Sequence, residues 1–517
     1  MLQYSTTALL ALATFSAPLM ASPLYGNSSI LWKDCPTELT APGSKVKCGF
    51  LKVPLDWENP RKGTIDVALA KLPARKPENR IGNLFYQPGG PGMQGTQKVA
   101  EVESGQTRWG DDLLDRFDLI SVDLRGVGLS TTLDCDPDLY NQRLPAYPMT
   151  DADFAARVKR NRALRQSCLD RTGTPLIDYM DTITIAKDHE AVRVALGGEP
   201  MNWFGASYGT LLGSQYAELF PHNIRSMMLD GVVSLSQPEV PTFAIAATAS
   251  DTAFKGFLSW CALQNATACP LAHYDQTKSL EQIWLDLMAR IEQKPLSCNT
   301  SKWCVVASDM TVDEVRAHTL GLIYSKAFFP YLSEAIGHAL SQYDGSIFAE
   351  YTTILSFPSE ARNAYNNSAS YSNTAIVCQD WHHNDQSAVD IKLKHTLVST
   401  HAPLMMGFSP AYSLFALNCI GWPAPTRNPP HKISIPRVPN MPTILMVDSL
   451  HDPATGLAWG TQLREEIGKD RTVMIAKNMT GHAVYEQADT VGGEIAAAME
   501  HYLLDLTLPE DGKIFQS

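Results

Sequence analysis

Basic residues are the minority among the charged ones. Lys and Arg number 42 against 54 Asp and Glu in a chain of 517 residues, for a formal charge of −12. Such an acidic balance argues against nucleic acid or an anionic membrane as the main partner. Long apolar runs are also missing. No segment beyond the N-terminus reaches the roughly 18 uninterrupted apolar residues that a bilayer span needs, so no membrane span is expected. No C-x-x-C pair occurs, which makes a zinc site a poor reading of the cysteines. There is no internal repeat and no long low-complexity linker. The adjacent His382 and His383 read as a surface loop, since chain neighbours rarely point at one ion, and neither metal nor cofactor is expected.

What is present points to an oxidising compartment. Residues Ala8 to Phe15 form a short apolar run, followed by Pro18 and the small residues Ala21 and Ser22. The run is too short to cross a bilayer and reads as a secretory signal over residues 1–21, although no Lys or Arg precedes it. Ten cysteines, an even number, fall as neighbours along the chain. The simplest pairing is sequential: Cys35–Cys48, Cys135–Cys168, Cys261–Cys269, Cys298–Cys304 and Cys378–Cys419. Sequons begin at Asn27, Asn265, Asn299, Asn366 and Asn478, as in a glycosylated extracellular protein.

The apolar pattern predicts an α/β fold. Residues 64–72 alternate as a half-buried strand; 83–86, 117–123, 202–204 and 224–233 read as further strands. Helices are expected over 182–196, with Gly197 and Gly198 as a stop, and over about 208–220, ending before Pro221. Alternation of this kind builds a mostly parallel sheet covered by helices. From about 236 to 400 the signals are helical, as in Leu280, Ile283, Trp284, Leu287 and Ile291. That stretch reads as a cap inserted between a first core part (22–235) and a second (401–517). In the second part, strands are expected at 443–447 and 472–476, and helices near 457–467 and 491–505.

The chemistry centres on Gly205-Ala206-Ser207-Tyr208-Gly209. A G-x-S-x-G match arises by chance on the order of 0.2 times in a chain this long, so the five residues alone are weak. Here they stand between a predicted strand and a predicted helix, the setting of a nucleophile elbow. A serine nucleophile needs a base and an orienting acid, in this fold in the order Ser, acid, His. His482 follows the strand 472–476 and is the expected base. Asp452 follows the strand 443–447 and is the expected acid, with Asp448 as its rival. The oxyanion donors should be the amide of Tyr208 and one from the loop Gly89-Gly90-Pro91-Gly92. Pro91 has no N–H, leaving Gly90 first and Gly89 second.

These residues carry a family resemblance. The segments PGGPG (88–92), DLRGVGLS (123–130), FGASYGTLLGSQYAELFP (204–221) and LDGVV (229–233) resemble the proline iminopeptidase and tripeptidyl aminopeptidase branch of the α/β-hydrolases. IVCQDW (376–381), CIGWPAP (419–425), DPAT (452–455) and TGHAVY (480–485) resemble the C-terminal part of its tripeptidyl-aminopeptidase-like (TAP-like) members. The resemblance implies a secreted serine exopeptidase acting on short peptides, with Ser207, Asp452 and His482 as triad. It also implies an anion for the substrate ammonium, for which Asp380 and Glu103 are candidates, each equally readable as a structural or surface acid. An esterase, lactonase or amidase acting on a small ester or amide would use the same acyl transfer. A non-catalytic binding protein on this scaffold would be expected to have lost a triad residue.

Overall fold

The computed structural model describes residues 29–516 apart from 235, 299–303, 305–308, 357–363, 382, 413–416, 425 and 488–491, and apart from the side chains of 352–356 and 364–367. The expected signal segment, Asn27, Asn299 and His382 lie outside the described residues. Twelve strands are present among the described residues: β1 (Leu31–Asp34), β2 (Lys47–Pro54), β3 (Thr64–Leu72), β4 (Gly82–Gln87), β5 (Phe117–Val122), β6 (Met201–Ala206), β7 (Ile224–Asp230), β8 (Leu296–Ser297), β9 (Asp309–Met310), β10 (Ile444–His451), β11 (Thr472–Thr480) and β12 (Ile514–Phe515). Ten form one sheet in the order β1-β2-β3-β5-β4-β6-β7-β10-β11-β12. Pairing is antiparallel from β1 to β5 across β2 and β3. From β5 onward every pairing is parallel. The α/β-hydrolase architecture expected from the sequence is therefore the one observed.

Residue type explains the layering. β4, β5 and β6 are buried along their whole length, as strands covered by helices on both faces must be. β3 alternates only near its ends; Val67 to Ala70 are buried on both faces, so the half-buried strand is more enclosed than its pattern suggested. Between the strands run α1 (Gly95–Ser104), α2 (Asp111–Arg116), α3 (Pro137–Tyr140), α4 (Asp151–Thr172), α5 (Thr182–Ala195) and α6 (Tyr208–Leu219). Helix α5 begins where Asp181 caps the amide of Thr184 (2.9 Å). It ends at Gly197 and Gly198, both at positive φ, which only glycine adopts freely.

After β7 the chain leaves the sheet. Helices α7 (Glu239–Ala262), α8 (Leu280–Gln293), α9 (Val312–Leu322), α10 (Phe329–Gln342), α11 (Ser346–Ser356), α12 (Ala364–Asp380) and α13 (Ala388–His401) follow, and the described residues between them add only the short β8–β9 pair to the strands. Ile283, Trp284, Leu287 and Ile291 of α8 face an apolar core formed largely by these helices. That core is separate from the two flanking the sheet. Residues 402–443, which include α14 (Leu417–Cys419), lead back to β10. Then α15 (Leu457–Ile467) and α16 (Glu494–Asp505) complete the sheet's cover. Disulfides join Cys35–Cys48, Cys135–Cys168, Cys261–Cys269, Cys298–Cys304 and Cys378–Cys419. Asn265 sits exposed in the turn after α7, Asn366 lies in α12, and Asn478 in β11 donates to Gln516 (3.1 Å). No helix among the described residues is long and apolar enough to cross a membrane.

One buried ion pair fastens the sheet's antiparallel side to its helices. Arg125, fully buried, donates from Nε and Nη2 to Asp188 of α5 at 2.7 and 2.6 Å. Its other donors reach the carbonyls of Leu55, Tyr179 and Pro54 at 2.8, 2.9 and 3.2 Å. Asp188 also accepts from the Trp57 indole at 2.9 Å. All five guanidinium N–H groups are thus used. Removing one partner strands a buried charge, at a cost on the order of 3–5 kcal/mol. Asp188→Ala is therefore expected to lower the urea midpoint by that equivalent with an unchanged m-value; a loss below about 1 kcal/mol would contradict this account.

Candidate active site

Five neighbouring parallel strands deliver the site. Gly89 and Gly90 follow β4, Ser207 follows β6, Asp230 ends β7, Asp452 follows β10 and His482 follows β11. Parallel strands all point the same way, so their C-terminal ends share one edge of the sheet, where open α/β sheets bind ligands.

Ser207 sits on a strained turn. Its φ is 56° and ψ −124°, a conformation that non-glycine residues rarely hold. The flanking glycines leave no alternative. A Cβ on Gly205 would lie 2.2 Å from the Gly209 carbonyl oxygen, and one on Gly209 would lie 2.2 Å from the Gln87 carbonyl oxygen. The turn is fixed from both strands: the Ser207 amide donates to Asp230 O at 2.9 Å. The indole of Trp203 donates to Gly209 O at 3.2 Å. Tyr208 opens α6, where first-turn amides have no intrahelical acceptor and the helix dipole favours negative charge.

His482 and Asp452 meet directly. Nδ1 of His482 lies 2.9 and 3.0 Å from the two Asp452 carboxylate oxygens. Asp452 is buried and its remaining capacity is filled. Oδ1 accepts the amides of Ala454 and Thr455, both at 2.8 Å. Oδ2 accepts the Thr455 hydroxyl and the Ala483 amide, both at 2.9 Å. Burial alone would raise the Asp452 pKa, but the His482 charge and these donors hold it below the ordinary carboxylate value. For His482 burial works downward, yet the Asp452 charge and hydrogen bond prevail and its pKa stands above the usual imidazole value. The rival Asp448 is turned elsewhere: it accepts from the Val232 amide at 2.9 Å.

Ser207 and His482 line one cavity of about 690 Å³, together with Gly90, Met93, Asp230 and Phe328. Two segments of the helical stretch between β7 and β10 line it as well. The Tyr324 carbonyl accepts the His482 amide at 2.8 Å, and its ring meets the imidazole edge-on at 5.2 Å between centroids. From α12, Asn373 donates to Pro91 O at 3.0 Å and so braces the glycine loop. Asp230, invisible as a site residue in the sequence, accepts the amides of Val484 and Tyr485 at 2.8 Å. It therefore holds the turn that carries His482, and burial raises its pKa to about 7. Thr455, Tyr324, Asn373 and Glu486 also escaped sequence reasoning. Thr455 and Glu486 lie within four residues of Asp452 and His482 and could have been sought there; nothing local marks the two cap residues.

The two sequence candidates for an ammonium partner are not among the residues that line this cavity. Glu103 sits in the last turn of α1 and accepts from the Ser44 hydroxyl and the Lys45 amide. Asp380, at the end of α12, is wholly buried. Its oxygens are occupied by the Thr182 amide (3.0 Å), the Thr182 hydroxyl (2.5 Å) and the Asn428 amide group (2.9 Å). Thr182 in turn meets the Tyr208 hydroxyl at 2.6 Å, so Asp380 supports the serine turn from behind. Burial raises its pKa to about 7, against a hydrogen-bonding pull downward. The native state thus keeps a proton that the unfolded chain releases near pH 4, and this group's stabilisation fades as pH rises through 7. Asp380→Asn is expected to show a smaller fall in melting temperature from pH 5 to pH 8 than the wild type; an equal or steeper fall would contradict the assignment.

Comparison with known proteins agrees with the fold. Residues 83–268 match the model described as alpha/beta hydrolase fold, and residues 402–514 the model described as TAP-like protein. The serine protease Hip1 of Mycobacterium tuberculosis is 28% identical over 505 residues, covering 95% of this chain and 92% of that protein. The tripeptidyl aminopeptidase of Streptomyces lividans is 27% identical, covering 88% of this chain and 81% of its own. Carboxylesterase B of Mycobacterium tuberculosis is 29% identical, covering 92% and 88%. The chain is a serine hydrolase with the α/β-hydrolase fold and a TAP-like C-terminal region.

Proposed function

We propose that this chain is an exopeptidase that removes short peptides from free N-termini, with Ser207, His482 and Asp452 as its triad. The contact that carries the reading is His482 Nδ1 against both Asp452 oxygens at 2.9 and 3.0 Å, in a cavity shared with the strained Ser207. The Asp452 bond leaves Nε2 as the acceptor for the Ser207 proton. Ser207 Oγ attacks the scissile carbonyl as His482 takes that proton. The amides of Tyr208 and Gly90 receive the negative oxygen. The tetrahedral adduct expels the amine, which leaves with the proton from His482. Water then attacks the ester on Ser207, delivers its proton through the same imidazole, and releases the acid.

The stretch expected as a cap, residues 236–400, contributes Tyr324, Phe328 and Asn373 to the cavity lining, which suits an exopeptidase whose cap limits entry to chain ends. The sequence relatives named for peptidase activity cover most of the chain. Five disulfides and the apolar N-terminal run support secretion into an oxidising compartment, where Asn27, Asn265, Asn299, Asn366 and Asn478 are the candidate glycosylation sites. An esterase is the second reading, favoured by the carboxylesterase B relative.

Aminoacyl, dipeptidyl and tripeptidyl anilides set against nitrophenyl esters will separate the two. Turnover of free-amine peptide anilides is expected, and activity confined to esters or blocked substrates would transfer the assignment to the esterase. Ser207→Ala should abolish both turnover and fluorophosphonate labelling. Asp452→Asn should retain the fold but lower kcat by roughly 10⁴-fold, because the imidazole loses its orienting acid. The base must be neutral, so kcat/KM should fall on acidification through an apparent pKa above the usual imidazole value.

A further inference from the structure

Arg125, Arg157, Arg160, Arg193 and Arg316 are the buried arginines among the described residues. Three of them face a carboxylate: Arg125 meets Asp188 at 2.6 Å, Arg193 meets Glu190 at 2.7 Å and Arg316 meets Asp313 at 3.2 Å. Arg157 and Arg160, both on α4, are only 6% and 5% exposed, yet among the described residues no carboxylate pairs with either. Further along the same helix the less buried Arg165 and Arg171 do have partners, Asp178 at 2.5 Å and Asp134 at 3.1 Å. A buried charge is normally paired, because desolvation without a counter-charge is costly.

The two guanidinium groups also stand together. Three residues apart on a helix, they share one face. Burial and the like charge of Arg160 lower the Arg157 pKa to about 10, and burial lowers that of Arg160. Both remain cations at neutral pH. The other groups that act on the pair are the hydroxyls of Tyr412 and Tyr140, which burial keeps protonated and so neutral. Two positive charges therefore face no negative one.

Their donors are as poorly used as their charge. Arg157 donates from Nη2 to Pro145 O at 2.6 Å, and Arg160 from Nη2 to Asn418 Oδ1 at 3.3 Å. Each guanidinium carries five N–H groups. The Nε of each is sealed in without an acceptor; the Nη1 groups have none either but are not sealed. What would complete this site is a compact anion with several acceptor oxygens, since a guanidinium fork matches an oxyanion two bonds at a time.

We propose that Arg157 and Arg160 form a binding site for a small inorganic oxyanion, with inorganic phosphate and sulfate as its probes. The anion would supply the missing counter-charge between α4 and the residues that pack on it. Asn161, between the two arginines in the chain, already ties α4 to Leu417 O and Ile420 O. Cys419 in turn is bonded to Cys378 of α12, the helix whose Asn373 braces the glycine loop. The site thus fastens a junction that lies outside the catalytic cavity.

The test follows the melting temperature of the full chain as phosphate is added at constant ionic strength, held by a bulky sulfonate salt. The wild-type midpoint is expected to rise saturably, by on the order of 2 °C. Sulfate should act in the same way, and chloride much more weakly. In Arg157→Met and in Arg160→Met the apparent phosphate affinity should fall tenfold or more. Fluorophosphonate labelling of Ser207 reports that each variant is folded. Should one fail to label, the other variant and equilibrium dialysis of labelled phosphate against the wild type decide, with about one phosphate retained per chain expected. A wild type that retains no phosphate and shows no saturable shift overturns the proposal. So does a shift that both folded variants keep in full, and so does a response to chloride as strong as that to phosphate.

Discussion

The backbone of β4 runs so close to the first turn of α6 that no side chain fits between them. A Cβ on Gly209 would come within 2.2 Å of the Gln87 carbonyl oxygen, and one on Gly205 equally near Gly209 O. That approach forces Ser207 to φ 56°. It also places the glycine loop after β4 beside the nucleophile: a Cβ on Gly89 would meet the Ser207 Cβ at 2.8 Å. Ser207 and the glycine loop are thus positioned by one contact between β4 and the first turn of α6. The strain is sustained by the sheet, where β6 pairs with both β4 and β7.

Beneath this contact lies an aromatic group that binds the histidine loop to the same core. Tyr86 of β4, Phe204 of β6, Trp109 and Tyr485 pack with ring centroids 5.1 to 5.6 Å apart. Tyr485 stands three residues after His482; its hydroxyl accepts from the Gly110 amide at 3.0 Å and donates to Glu500 at 2.8 Å. Asp230 fixes the same turn from β7 through its two amides. The imidazole is therefore aimed by Asp452 on one side and by its loop's anchors on the other. The geometric demand on a triad is met by packing at some distance from the reacting atoms.

The parts of this arrangement that were legible in the sequence are those set by backbone rules. A tight strand-to-helix turn demands small residues at fixed offsets, and parallel strands demand that catalytic groups follow strand ends, so Ser207, Asp452 and His482 stood out. Glu103 and Asp380 misled because distance along the chain from a motif says little about where a helix turns its side chains. Each lies at the end of its helix, and each is engaged there with groups away from the cavity. Helix α4 left almost no apolar signal, because Arg157, Arg160 and Asn161 lie on its buried side. Only some of their polar atoms find partners: Asn161 donates to Leu417 O and Ile420 O at 3.0 and 2.7 Å, while its Oδ1 and the Nε atoms of Arg157 and Arg160 are buried without one. The stretch was visible as helical and was expected to shape the site, but not which of its residues meet it, since Tyr324 and Asn373 act through contacts with residues far away along the chain.

Those cap contacts divide the labour within the molecule. The sheet edge supplies acyl transfer that any ester or amide could undergo, and nothing in Ser207, His482 or Asp452 distinguishes a peptide from an ester. Discrimination must come from what shares their cavity. Tyr324 O holds the His482 amide and Asn373 holds Pro91 O, so the helical stretch between β7 and β10 touches both the histidine turn and the glycine loop. A shift of either cap segment would move a catalytic group as well as reshape the pocket. Substrate choice and catalytic geometry are consequently coupled here. Exchanging that helical stretch alone would not transfer specificity cleanly, because Asp230 and Glu486, the acids lining the cavity, belong to the sheet and its histidine loop.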